Sequence, residues 1–275
     1  MAANSLSGKS GVWRRYIRRL VMPNLRTKIV LPYLILTLIV AMIGTYVVTR
    51  LVASSLDERL TNQLLEAGRV VSDSLARREI GHLDAARAVA FTRGLAEALS
   101  TGDQAGVAKL AQPAVAVHRI DSLSVVDASG RDVLQLLKTG ETSRIVPGPY
   151  DAASMSQVQT LLQAGDPNAA PERGLGLHPV DRRYYYFTAL PVALDGQVVG
   201  AVVVGSALET LLPIFKSTSV ADVVLYQAGG SAIGASFPAD DAEANALLQQ
   251  LSITPELYQT ILDNADTTFG ENLIV

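Results

Sequence analysis

Residues 125–134, VVDASGRDVL, and 225–234, LYQAGGSAIG, line up at an offset of 100 residues. Ala128 matches Ala228, Gly130 matches Gly230 and Val133 matches Ile233. The same offset carries QTLLQAGD (159–166) onto QTILDNAD (259–266), pairing Gln159/Gln259, Thr160/Thr260, Leu162/Leu262 and Asp166/Asp266. Two matches at one spacing predict two copies of one fold in tandem. The equivalents of 183–205 would fall beyond Val275, so the second copy is expected to be incomplete.

Working outward, each quoted stretch reads as a hairpin with glycine at its turn: strands 122–126 and 132–136, then 222–226 and 232–236. Helices are expected at 104–117, 154–164, 207–215, 241–251 and 255–264. RYYYFTAL (183–190) has the aromatic density of a strand. Asp195-Gly196 turns the chain, and QVVGAVVVG (197–205) runs back as a buried strand. Residues 140–151 and 165–181, rich in proline and glycine, read as loops.

Upstream, Ile29 to Thr49 carries no charge and lies between Lys28 and Arg50. As a helix it would be about 31 Å long, enough to span a bilayer. Tyr33 and Tyr46 sit near its ends, and Pro32 falls in the first turn. A cleaved signal peptide would have a shorter apolar run and a shorter leader. Lys9, Arg14, Arg15, Arg18, Arg19, Arg26 and Lys28 all precede the span. All 26 acidic residues follow it. This predicts a cytoplasmic N-terminus, a cell-membrane location and an extracytoplasmic body. The acidic body disfavours nucleic acid as a partner. The chain has no cysteine, which removes disulfides and thiolate chemistry.

From Leu51 to about Ser100, Leu56, Leu60, Leu64, Ala67, Val71 and Leu75 form one apolar helical stripe. Gly68, Gly81 and Gly94 mark possible bends. Such a stalk either packs along its own modules or pairs with a sister helix in a homodimer. The expected division is a basic tail (1–28), a transmembrane helix (29–49), a stalk (50–100), a membrane-distal module (101–217) and the start of a second module (218–275).

This order, with the two hairpins and YYYFTALPVALDGQVVGAVVVGSALETLL at 184–212, resembles the tandem Cache sensor regions of bacterial transmembrane receptors. The resemblance implies an α+β fold of PAS-like antiparallel-sheet modules and a small-molecule ligand on the distal module's sheet. It further implies homodimeric stalks, a second membrane helix and a cytoplasmic output domain absent from this chain. Amino-acid-binding members carry an Arg-x-Trp-Tyr cluster and a later Asp. Here the only tryptophan is Trp13, and the last strand ends Gly205-Ser206 without a carboxylate, so that specificity is not carried over.

For a pocket, Arg183, Tyr184, Tyr185 and Tyr186 are the candidates, with Tyr150 beside the Pro-Gly-Pro loop. Alternation places Arg183, Tyr185 and Phe187 on one face and Tyr184 and Tyr186 on the other. Tyrosine supplies an apolar wall with a polar tip, and Arg183 suits a carboxylate. Catalysis is not expected. His82, His118 and His178 have no metal-pair spacing, and no metal or cofactor is implied. Gly229-Gly230-Ser231 fails the nucleophile-elbow pattern at Ile233. Gly229 to Gly234 lacks the phosphate-loop lysine at Ala235. Asp240, Asp241 and Glu243 suit a helix start. The remaining alternative is a membrane-tethered interaction module without signalling output.

Overall fold

The computed structural model describes residues 25–118, 120–139, 142–146, 152–237 and 241–268. Helix α1 runs Leu25–Ala90. It begins earlier than the apolar run, because Arg26 and Thr27 tolerate helix as well as Val30 does. Pro32 therefore lies inside the helix rather than in its first turn. Val30–Val52 is long and apolar enough to cross a membrane, and none of it is buried by protein.

The chain divides into two compact units, 1–63 and 64–275. Within the second, α1 passes through Gly81 without a break and stops at Ala90, ten residues short of the expected stalk end. The break is Gly94, at φ 90°, a conformation open to glycine and costly for other residues. Short helix α2 (Leu95–Ser100) and α3 (Gln104–His118) follow.

The main sheet contains six antiparallel strands in the order β3-β2-β1-β6-β5-β4. These are β1 (Ser122–Asp127), β2 (Asp132–Thr139), β3 (Thr142–Ile145), β4 (Glu172–Leu177), β5 (Tyr184–Leu194) and β6 (Gln197–Ala207). The β1–β2 turn is fixed by Asp127, whose Oδ1 accepts the Ser129 N–H at 2.8 Å and the Arg131 N–H at 3.0 Å. The β5–β6 turn uses Asp195 at φ 52° and Gly196 at φ 80°, the mirror-image turn whose twist suits a hairpin. Pro191 is accommodated in β5 because β4 pairs only with 184–189, leaving its missing N–H on an open edge.

Two stretches expected to be loops contain strands. β3 pairs with β2, and β4, ERGLGL, pairs with the aromatic end of β5. Glycine weakens a strand in isolation. In β4 it makes room for neighbours: a Cβ on Gly174 would stand 2.5 Å from the Gln157 amide nitrogen.

Helix α4 (Ser156–Ala164) covers one sheet face, where Val158 and Leu161 meet Val126, Leu137, Phe187, Ala201 and Val203. The opposite face packs Leu123, Val125, Leu134, Leu136, Val202 and Val204 against α2, α3 and Ala85, Ala86 and Val89 of α1. Helix α5 (Leu208–Ser219) leads to the hairpin β7 (Val224–Tyr226) and β8 (Ala232–Ala235), then α6 (Asp241–Leu251) and α7 (Pro255–Thr268).

The two hairpins share their hydrogen bonding residue for residue. Asp127 N–H donates to Arg131 O and Gly130 N–H to Asp127 O. Gln227 N–H donates to Ser231 O and Gly230 N–H to Gln227 O. Each carries a register shift at the same place, between Val125 and Val126 and between Leu225 and Tyr226.

Candidate ligand-binding site

Strand β5 sends successive side chains to opposite faces. Tyr185 and Phe187 turn toward α4, and Tyr186 and Thr188 toward α1. The α4 side has a flat floor because β6 offers Gly205 opposite Phe187. A Cβ there would stand 2.8 Å from the Phe187 ring and 3.2 Å from that of Tyr185. The two rings stack at 5.6 Å between centroids, and the His178 ring lies 4.7 Å from Tyr185.

A buried polar cluster is set into this apolar face. The period-2 pattern of β1 places Ser122 and Ser124 on the α4 side and Leu123 and Val125 on the other. Gln135 of β2 joins them: its Oε1 accepts the Ser124 hydroxyl, and its Nε2 donates to Ser122 Oγ at 3.2 Å. His178, fully buried at the end of β4, puts Nε2 2.8 Å from Ser122 Oγ and 3.1 Å from Gln135 Nε2. Tyr185 donates its hydroxyl to Asp181 Oδ2 at 2.9 Å. Buried Asp121 accepts the Ala207 N–H at 3.0 Å and faces Lys138 at 3.7 Å. Burial, then the Asp181 carboxylate, raises the Tyr185 phenol well above its ordinary range. Burial lowers the His178 pKa, opposed by the Asp181 carboxylate. Both groups are therefore neutral near neutral pH, presenting hydrogen-bonding tips among apolar walls.

The sequence candidates separate. Tyr185 joins this cluster. Arg183 does not share its face as alternation suggested. It precedes the strand, and its guanidinium turns to Glu209 at 2.6 Å. Tyr184 reaches Gln227 of the second hairpin at 3.2 Å. Arg183 and Tyr184 together edge a cleft of about 330 Å³ that also contains Leu212 and Ile233. Tyr186 is buried on the α1 side and donates to Glu79, which also accepts Arg173 at 3.0 Å. Its ring lines a cavity of about 390 Å³ with Val71, Leu75, Phe215 and Leu225. Tyr150 lies outside the described residues. Sequence reasoning missed Asp121, Ser122, Ser124, Gln135 and Asp181, and it gave His178 no site role. The available signal was polar residues at alternate positions of an otherwise apolar hairpin.

On the α1 side, His82 adds a second polar link between helix and sheet beside the Glu79 contacts. His82, fully buried, places Nε2 2.8 Å from Ser206 Oγ and Nδ1 3.3 Å from Thr188 Oγ1. Burial, and secondarily the Arg78 charge, lowers its pKa from 6.5 to about 4.

A six-stranded antiparallel sheet between a long N-terminal helix on one face and a short helix on the other, with buried polar groups on both faces, defines a Cache-type sensory domain. The chain belongs to the double Cache sensory family, described as the double sensory domain of two-component sensor kinase, which it matches over residues 57–272. No curated protein matches it.

Two solved structures share the fold. A domain of a protein assigned to the sensory box/GGDEF family from Vibrio parahaemolyticus is 12% identical at a TM-score of 0.53. The match covers 75% of this chain and 81% of that one. The extracellular domain of vpHK1S-Z8, assigned as a histidine kinase, is 12% identical at a TM-score of 0.54, covering 75% and 77%. The ligand-binding domain of the Campylobacter jejuni chemoreceptor Tlp3, in complex with L-valine, is 16% identical at a TM-score of 0.48, covering 78% and 82%.

Proposed function

We propose that this chain is the sensing region of a membrane-anchored bacterial signalling receptor. A small molecule binds the α4 face of the distal module, residues 101–217, beside Tyr185, His178, Gln135 and Ser122. The observation that carries this reading is the polar cluster buried on one face of a sheet in a sensory-family fold. Structural stabilisation alone would be served as well by apolar side chains at these positions. Tyr150, read from the sequence, is a further candidate contact. Arg183, Tyr184 and Tyr186 act from the other side. They tie the ligand-bearing strand to α5, to the second hairpin and to α1.

Val30–Val52 anchors the chain in the bilayer, with a cytoplasmic N-terminus and an extracytoplasmic body. The stalk pairs with that of a second copy, and residues 218–275 begin the second of two tandem modules. The matched hairpins support that repeat. Ligand binding biases the packing of sheet against stalk between two arrangements, which the membrane helix passes to a cytoplasmic output domain. The chain itself is not catalytic.

The test is a thermal-shift screen of the full chain in nanodiscs against carboxylic acids, amines and sugars. A ligand at about 100 times its Kd stabilises by about 2.7 kcal/mol. The expected result is a shift abolished by Gln135→Leu. No shift with any class overturns the ligand reading, and a shift untouched by Gln135→Leu overturns the site.

A further inference from the structure

The β4–β5 turn closes over the α4 face, and its geometry gives His178 two competing partners on one ring nitrogen. Nδ1 accepts the Val180 N–H at 3.2 Å, which requires that nitrogen to be unprotonated. The proton of the neutral ring then sits on Nε2 and is donated to Ser122 Oγ at 2.8 Å, an acceptor it shares with the Gln135 Nε2 amide, which lies 3.1 Å from that ring nitrogen. The second partner is Asp181 Oδ1, 3.5 Å from the same Nδ1, and it is an acceptor only. A second proton on the ring would thus turn a made bond to Val180 into a donor facing a donor. It would also create a charged donor beside a carboxylate.

The turn is poised for that exchange. The Arg182 N–H donates to His178 O at 3.0 Å with Arg182 at φ 58°, a left-handed conformation uncommon for arginine. Asp181 is shared: its other oxygen accepts the Tyr185 hydroxyl, and its Oδ1 also accepts the Arg183 N–H at 3.2 Å.

We propose that the turn 178–183 is a proton-operated strap over the ligand face. It is closed while His178 Nδ1 holds the Val180 amide and released when that nitrogen, protonated, takes the Asp181 carboxylate. On release Asp181 is drawn from Tyr185 and the His178 ring loses its seat on the stack. Among the described residues, the charged or titratable groups against the ring are Asp181 of its own turn and Tyr185 of β5, and Asp121 ahead of β1 acts on Tyr185. Asp121 is itself held by Lys138 of β2. Ser122 and Gln135, which meet Nε2, are uncharged. Burial sets the ring's titration low and Asp181 draws it back up, so the strap stays closed at neutral pH and opens in acid. This inference rests on the α4 face being the ligand site for its biological consequence, though not for its chemistry.

Hydrogen exchange of the full chain in nanodiscs, read over peptides covering 178–187 and corrected for the intrinsic pH dependence of exchange, tests it. The expected result is about a tenfold loss of protection at Val180 as the His178 imidazole titrates, the scale of one lost hydrogen bond. His178→Gln, whose amide can both accept from Val180 and donate to Ser122, should abolish that step. In a second measurement, imidazole NMR should show Asp181→Asn lowering the His178 midpoint. Equal pH dependence in wild type and His178→Gln, or an unmoved midpoint in Asp181→Asn, would overturn the strap. A strap that titrates as expected while no small molecule shifts the melting temperature at neutral pH would discard the ligand reading alone.

Discussion

Replacing His82 by glutamine isolates the cost of burying an imidazole between the long helix and the sheet. The wild-type ring is fully buried with its pKa lowered from 6.5 to about 4, burial being the larger cause and Arg78 the smaller. The unfolded chain therefore takes up this proton first as the solution is acidified. Stability is complete above 6.5 and falls as pH drops toward 4. Integrating over that window gives a loss of about 2 kcal/mol between about pH 7 and pH 5, and about 3 kcal/mol by about pH 4. Glutamine keeps an amide able to bond the Ser206 and Thr188 hydroxyls and does not titrate, so His82→Gln should lack this component. The assay is urea unfolding of the full chain in detergent micelles, followed by near-ultraviolet circular dichroism at several pH values. The difference between wild type and variant cancels the other titrating groups. If the two proteins lose stability in parallel from pH 7 to pH 4, the buried neutral imidazole is not what links helix to sheet.

Three further substitutions test the packing. Gly200→Ala puts a Cβ 2.0 Å from the Val126 carbonyl oxygen, so it should break the β1–β6 ladder and cost more than about 3 kcal/mol, read as failure to recover folded protein. Gly205→Ala meets flexible rings instead of backbone. It should cost about 1–3 kcal/mol in a melt and change the tyrosine near-ultraviolet signal through Tyr185. Val220 ends α5 at φ 55° with 90% of its surface exposed, so Val220→Gly should stabilise by about 1 kcal/mol, seen as a higher melting temperature.

Local chemistry made much of this fold legible. Asp127 with Gly130 and Asp195 with Gly196 announce their turns because each uses side-chain capping or positive φ. The long apolar stripe announced α1, and its far end, Ala90 instead of Ser100, was misplaced by reading Gly94 as a bend where its left-handed backbone stops the helix. β3 and β4 were illegible for a physical reason. As edge strands they are held by pairing to β2 and to β5, and β4 has little side-chain signal of its own. The site was only partly readable. Tyr185 stood out by residue type. Asp181 reaches it from four residues away across a turn, whereas Gln135 meets His178 across 43 residues of sequence, a meeting only the assembled sheet creates. Arg183 shows the limit of alternation, which holds within β5 and fails one residue before it.

Strand β5 carries Tyr185 to one side and Tyr186 and Thr188 to the other, with β6 locked to it from Tyr185 to Leu194. Such a pair behaves as a plank. It has no soft layer in which a push from the α4 side can dissipate before it reaches His82 and Glu79. Substitutions on the two sides should therefore not be energetically independent, although no side chain from one touches the other. A double-mutant cycle between Gln135 and His82 would read that stiffness directly as a non-additive term.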